Sequence, residues 1–231
     1  MTLKNSISLV MPYWRRPEAL SAQLKSLRAL YPPELEIIVV DDGSHDFWIG
    51  KDCSGMIFVH LPVKDVALNP CVPFNYGVAV SSGEFIVLTN PEVRHTKTIL
   101  TEMMAECERL GPNAYVAAAC WSPAHKWWFC HSTLEPHDAS VGRAPKPKGA
   151  GFHFCSMLRR SLYDRIGGFS EEYRDGQGYE DNDLLWKLER AGTRFKIMDD
   201  LVTEHVECPR CEWPKGGHER NRLIYERKWN G

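Results

Sequence analysis

Residues 36–44 read EIIVVDDGS. Ile37, Ile38, Val39 and Val40 form a near-continuous β-branched run, as expected of a central parallel strand covered on both faces. The run stops at Asp41-Asp42-Gly43-Ser44, a composition that turns the chain. On its N-terminal side, Leu20, Leu24, Leu27 and Tyr31 recur at helical spacing until Pro32-Pro33 closes the helix. Before that, residues 6–11 (SISLVM) read as another buried strand, stopped by Pro12. Strand, helix and strand at these lengths imply a right-handed crossover, in a sheet whose ligands bind beyond the carboxyl ends of its strands. Asp41 and Asp42 stand at such an end. Carboxylates there can accept from a ribose hydroxyl or a base N–H, and the plainer alternative is an Asx-turn leaving the strand.

Moving toward the C-terminus, residues 57–61 read as a strand and residues 69–82 as a helix, with Pro70 and Pro73 confined to its start. Residues 85–88 (FIVL) form the next buried strand and run into Thr89-Asn90-Pro91-Glu92. Asn90 and Glu92 place two oxygen ligands near one point if the chain turns there, as a hard divalent cation bridging two phosphates requires. Asn-Pro is equally a plain turn opener. An amphipathic helix (Ile99, Leu100, Met103, Met104, Cys107, Leu110) ends at Gly111-Pro112, and residues 115–120 follow as a strand. Residues 125–131, HKWWFCH, offer Trp127 and Trp128 as faces for a sugar ring, with burial of whichever points inward as the alternative. Lys146 and Lys148 lie in a Pro-rich basic stretch, either as a loop closing over phosphates or as a solvated face. Residues 152–158 then read as a strand and 160–166 as a helix stopped by Gly167-Gly168.

Residues 176–192, GQGYEDNDLLWKLERAG, begin another helix with Glu180, Asp181, Asn182 and Asp183 at its N-terminus, where the dipole favours negative charge. One reading is ordinary capping. The other is a carboxylate that orders a ligand hydroxyl beside a neighbour that removes its proton.

The bulk properties bound the function. The chain has 231 residues, 43% hydrophobic and 25% charged, with a net charge of −2. That balance gives no electrostatic case for a nucleic-acid polymer or an anionic membrane as partner. No apolar run approaches the ~20 residues that cross a bilayer, and the first residues are too short and interrupted for a secretory signal. Eight irregularly spaced cysteines read as reduced thiols, hence a cytoplasmic location is expected.

The order SISLVMPYWRRPEAL, EIIVVDDGS, FNYGVAVSSGEFIVLTNPEV resembles the nucleotide-binding half of family 2 glycosyltransferases of the GT-A fold. The stretch GYEDNDLLWKL resembles the G-x-E-D-x-D-L-x-x-R-L pattern of galactosyltransferase-like C-terminal regions. The resemblance spans nearly the whole chain, with its motifs in family order. It implies an α/β, Rossmann-like, mainly parallel mixed sheet flanked by helices, one domain of two abutting halves. Residues 1–112 would bind the nucleotide sugar, and residues 113–231 would bind the acceptor and catalyse.

By the same resemblance Pro12, Tyr13 and Arg15 lie beside the nucleotide, Asp41 and Asp42 hold uracil and ribose, and Asn75 belongs to the family's ARN-like stretch. Asn90, Glu92 and a late histidine, His205, would hold Mn²⁺ or Mg²⁺, an imidazole suiting manganese better. Asp181 would be the catalytic base beside Glu180. Trp127, Trp128, Lys148, Gly178 and Tyr179 are sugar-contact candidates, and His218 and Arg222 late phosphate contacts. The expected activity is metal-dependent, inverting transfer from a UDP-sugar, or a dTDP-sugar, to a glycan or glycoconjugate hydroxyl, as in polysaccharide biosynthesis.

Two departures stand out: Phe74 replaces the family arginine, and N-P-E replaces D-x-D. They motivate an alternative, a protein of the same fold that binds sugar nucleotide with little or no turnover. A nucleotidyltransferase is a further alternative, disfavoured because PYWRRPE follows the first strand instead of a Gly-rich basic loop. The spacing of His205, Cys208, Cys211 and His218 also admits a structural zinc site.

Overall fold

The β-branched run forms β2 (Glu36–Asp41), its last five residues buried, in a computed structural model that describes residues 6–45, 55–134, 146–208 and 213–229. β1 (Ile7–Tyr13) lies parallel beside it, with α1 (Pro17–Leu30) as the crossover. β3 (Ile57–His60) extends the parallel set on the far side of β2. α2 (Cys71–Val80) then returns the chain to β4 (Phe85–Thr89), parallel to β1. The strand register places alternate residues on opposite faces. Leu9, Met11, Ile37 and Val39 face α1 and α3 (Leu100–Leu110), whereas Val10, Ile38 and Val40 face α2. Both faces are thus covered, as the uninterrupted hydrophobic runs imply.

The second half joins the same sheet. It comprises β5 (Val93–His95), β6 (Ala114–Ser122), β7 (Trp127–Cys130), β8 (Cys155–Arg159), α4 (Arg160–Arg165), α5 (Glu180–Arg190), β9 (Arg194–His205) and α6 (Gly217–Trp229). The strand order is β3-β2-β1-β4-β8-β6-β9-β5, with β7 paired to β6. β8 enters antiparallel to both β4 and β6, so the sheet is mixed. No helix among the described residues is long and apolar enough to cross a membrane.

Several boundaries differ from expectation. Pro12 does not stop β1, which runs on to Tyr13. Pairing with β4 ends at Val10–Leu88, so the missing N–H of Pro12 falls on an edge no longer in use. The last strand, β9, is twelve residues long. Asp199 and Asp200 look like a turn, yet they form part of a bulge between the Ala118–Met198 and Ala119–Val202 pairs. Beyond the bulge β9 continues to His205, which pairs with Val93 of β5. Residues 152–154, read as strand, are a turn ahead of β8.

Candidate active site

The carboxyl ends of β1, β2 and β4 meet the N-terminus of α5 around one cleft of about 320 Å³. Pro12, Tyr13, Trp14 and Arg16 come from the end of β1, Asp42 from just beyond β2, and Asn90, Pro91 and Glu92 from the turn after β4. Gln177, Gly178 and Glu180 close the opposite wall. This is where an open α/β sheet holds ligands.

The two aspartates of DDGS separate. Asp42, at 4% exposure, lines the cleft and is paired with Lys64. Burial pushes its carboxyl up, with Lys64 opposing. Asp41 lies behind the wall: Oδ1 accepts from Ser44 N–H at 3.0 Å, and Oδ2 meets His60 Nδ1 at 2.8 Å. Its part in the turn is the Asx-turn alternative. Gly43 allows that turn, because it sits at φ +85° and a Cβ there would stand 2.2 Å from Pro62 O.

Arginine placement also departs from the sequence reading. Arg15, at φ +44°, stacks on Trp14 at 4.7 Å and reaches Lys64 O, away from the cleft lining. Arg16 lines the cleft and donates from Nη1 to Glu92 Oε1 at 2.7 Å. A signal was present in the sequence: Pro17 at the first turn of α1 makes Arg16 the N-cap, level with the strand ends.

Glu92 and His205 converge through the β5–β9 pairing. His205 Nε2 is 3.9 Å from Glu92 Oε1, and Glu92 Oε2 is buried with no hydrogen-bond partner among the described residues. Burial lowers the His205 pKa, opposed by Glu92, which favours the neutral, ligating form. A carboxylate oxygen awaiting a partner beside an imidazole, with Asn90 nearby, suits a divalent cation that completes its shell with phosphate and water. No group of three or more His, Cys, Asp or Glu suited to a metal occurs among the described residues. Cys211 of the zinc alternative lies outside them.

The acidic helix divides its labour. Asp183 is fully buried and accepts from Ser170 Oγ at 2.6 Å and Trp229 Nε1 at 2.8 Å, with Lys228 Nζ also at 2.8 Å. It anchors α5 to α6. Glu180, at 6% exposure, lines the cleft and accepts from Asn69 Nδ2. Burial pushes its carboxyl well above the usual range, and the neighbouring Asp181 adds to this. Asp181 is not placed on the cleft lining, where the sequence put it beside Glu180; it keeps 35% of its side chain exposed and meets His153 Nε2 at 2.9 Å. Burial raises its carboxyl, but His153 and a hydrogen bond with Glu180 outweigh that and leave it lowered. Burial and a like-charged neighbour thus favour the neutral form at Glu180, whereas the His153 contact favours the charged form at Asp181.

Gly178 lines the cleft. Tyr179 adopts φ +71°, and its ring turns away onto His218 and Tyr225 of α6 at 5.1 and 5.4 Å. Fully buried Asn221 holds this turn by donating to Tyr173 O and Gly178 O at 3.0 and 2.9 Å. Gly176 packs against it so closely that a Cβ would lie 2.2 Å from Asn221 Oδ1. Arg222 is held by Glu219 and Glu226, so neither it nor His218 is placed on the cleft lining. Asn75 is likewise engaged elsewhere: it donates to Phe169 O and Glu171, and accepts from Tyr163 OH and Phe169 N–H.

Strand alternation separates the two tryptophans. Trp127, 51% exposed, continues through Phe129 (6.0 Å) to His205 (4.7 Å), whereas Trp128 packs on Trp121 and His131 on the other face. Lys148 is exposed and outside the cleft lining. Sequence reasoning had Trp14 and Arg16 only as part of the loop after the first strand and missed Asn69, His153 and Trp213; Asn69 and His153 reach the acids only through tertiary contacts.

Residues 8–167 match the family model described as glycosyl transferase family 2, and residues 145–209 match that described as the N-terminal domain of galactosyltransferase. The pre-mycofactocin glycosyltransferase of Mycobacterium tuberculosis is 24% identical over 210 residues, covering 86% of this chain and 42% of that protein. An uncharacterized glycosyltransferase of Haemophilus influenzae is 23% identical over 201 residues, covering 85% and 67%. The chain thus spans under half the length of the mycobacterial relative. Among solved structures, S. aureus TarS 1-349 in complex with UDP-GlcNAc superposes with a TM-score of 0.68 at 16% identity, covering 89% of this chain and 59% of that one. GalNAc-T7 with UDP, GalNAc and Mn²⁺ gives 0.74 at 10% identity, covering 98% and 48%. The sheet order and flanking helices are those of the GT-A arrangement expected from the sequence.

Proposed function

Since the chain belongs to glycosyltransferase family 2, we propose that it transfers a sugar from a nucleoside-diphosphate donor to an acceptor hydroxyl on a glycan or glycoconjugate, with inversion at the anomeric carbon. A UDP-sugar is the favoured donor and a dTDP-sugar the second choice. The observation that carries this reading is the meeting, around one cleft, of strand-end Asp42 and Glu92 with the helix-start acid Glu180.

Asp42 accepts from the nucleoside, and the Trp14 and Tyr13 side chains shape the base end of the cleft. Glu92 and His205, assisted by Asn90, are the residues that would hold a divalent cation. Such a cation neutralises charge developing on the leaving diphosphate. Arg16 adds a fixed positive charge at the same end, oriented by Glu92. Glu180, protonated, donates to Asp181 and fixes donor or acceptor hydroxyls at the cleft wall. Asp181 accepts the acceptor's proton as its oxygen attacks. Trp127, at the exposed end of the Trp127–Phe129–His205 ring series, offers a face to an acceptor sugar.

Thermal stabilisation by a panel of UDP- and dTDP-sugars with and without Mn²⁺ tests donor binding, because a ligand that binds only the folded state raises its stability. Release of UDP or dTDP in the presence of oligosaccharide acceptors tests turnover. The binding-only alternative is favoured by Phe74, fully buried and stacked on Phe169 at 4.8 Å, which supplies no charge where the family pattern has arginine. Stabilisation by a sugar nucleotide without release of nucleotide would select that alternative. No stabilisation by any donor would remove the transferase reading.

A further inference from the structure

We propose that His153 is a positioning residue, whose Nε2–H holds Asp181 Oδ1 at 2.9 Å and so makes Asp181, and not Glu180, the proton acceptor of the adjacent acid pair. The inference rests on the proposed transferase reading. His153 stands in the turn before β8, only 4% exposed. Its ring lies edge to face against Phe74 of α2 at 5.3 Å and Phe169 at 5.1 Å, two rings stacked on each other. Nδ1 is buried and has no hydrogen-bond partner among the described residues.

That asymmetry selects the tautomer. A buried N–H without an acceptor costs far more than a bare ring nitrogen against aromatic carbon, so the proton belongs on Nε2, where Asp181 accepts it. The titratable groups facing the pair are Asp181 and Glu180 on α5, with Tyr115 of β6 farther off; α2 contributes Phe74 against the His153 ring and the Cys71 thiol toward Glu180. Two neighbouring carboxyls share their protons, and a donor to one of them decides which is the anion. Asn69 gives Glu180 one donor, but Glu180 is the more buried and accordingly holds the proton. His153 and Glu180 thus both donate to Asp181, leaving its remaining lone pairs for the acceptor hydroxyl. During transfer the acceptor O–H breaks, its oxygen bonds to the anomeric carbon, the bond to the diphosphate oxygen breaks, and the proton ends on Asp181. His153 keeps its own proton throughout.

His153→Phe fills the aromatic cage without a donor, and His153→Gln restores an N–H at a similar reach. With the sugar nucleotide that the wild-type chain turns over, His153→Phe should lower kcat by about ten- to a hundredfold, a fraction of what a positioned base contributes. Donor KM should hold, and the acidic limb of kcat should move to higher pH. His153→Gln should recover most of the rate and return the limb. Imidazole ¹⁵N spectra of the wild type, assigned against His153→Phe, should show the Nε2–H tautomer whether or not a donor is known. Wild-type kcat and limb in His153→Phe, no recovery in a folded His153→Gln, or an Nδ1–H tautomer would each overturn the proposal. Asp181→Asn separates the two levels. If it is impaired while His153→Phe is not, only the positioning role fails; if it turns over normally, the base assignment itself fails.

Discussion

At the residue scale, the site is a set of carboxylates told apart by their neighbours. Asp181 and Asp183 stand two positions apart on one helix, yet Asp183 is fully buried among Ser170, Trp229 and Lys228 while Asp181 stays a third exposed beside His153. Replacing Asp181 by Asn keeps the shape and removes the proposed base. Turnover is expected to fall by ~10²–10⁴ with donor binding retained, read from steady-state rates alongside calorimetric titration of the donor. Glu92 offers the contrasting case, because its Oε2 has no hydrogen-bond partner among the described residues and His205 is nearby, as the proposed cation site requires. Glu92→Ala should weaken manganese-dependent donor binding, and an unchanged manganese titration would exclude Glu92 from the site. Of the residues singled out at sequence level, those facing the cleft lie at strand ends or the helix start: Pro12, Tyr13, Asp42, Asn90, Glu92, Gly178 and Glu180. Asp41 and Arg15 were chosen on the same grounds and Asn75 from the ARN-like stretch, but Asp41 and Asn75 have their side-chain polar atoms engaged by the protein, and Arg15 is exposed and turned to Lys64 O.

The elements that matter most for the site are those that place other elements. α6 does not extend a side chain into the cleft lining; its Asn221 fixes the turn that leads into α5. Asn221→Ala leaves two backbone carbonyls short of a donor and a void beside Gly176. The expected cost is about 1–3 kcal/mol of stability by urea unfolding, with loss of activity steeper than loss of fold because Gly178 and Glu180 shift together. β7 is the second such element. Its two-residue period puts Trp127 on the face that continues to His205 and Trp128 on the opposite face with Trp121. Trp127→Ala should raise acceptor KM with donor binding unchanged, whereas Trp128→Ala should lower Tm without that KM effect. Equal acceptor KM in both variants would remove Trp127 from the acceptor platform.

Over the whole molecule, one continuous sheet carries both halves, with β4 paired to β8 where they meet. That junction brings a buried acid from the second half against the first, with a consequence for stability. Glu180 has a folded-state pKa above its unfolded value, chiefly through burial. Its contribution is fully present below the unfolded carboxyl range and declines as pH rises toward the folded value. Glu180→Gln should therefore raise Tm at pH 7–8 relative to pH 4–5, by about 2–4 °C for each kcal/mol relieved. Equal pH dependence in the variant and the wild type, measured by calorimetry, would contradict this. The sequence alone determined the parallel half, because uninterrupted β-branched runs between amphipathic helices admit little else. It also marked strand-end oxygens as the ligand edge, since that follows from strand direction. Tertiary structure alone decided which oxygens face the cleft. Asp41 and Asp42 are neighbours in the chain, but Lys64 pairs with one and His60 with the other, from β3 and the turn beyond it. It also brought Asn69 to Glu180 and His153 to Asp181, across 111 and 28 residues of chain. Such contacts depend on the packing of separate elements, and no local spacing encodes them.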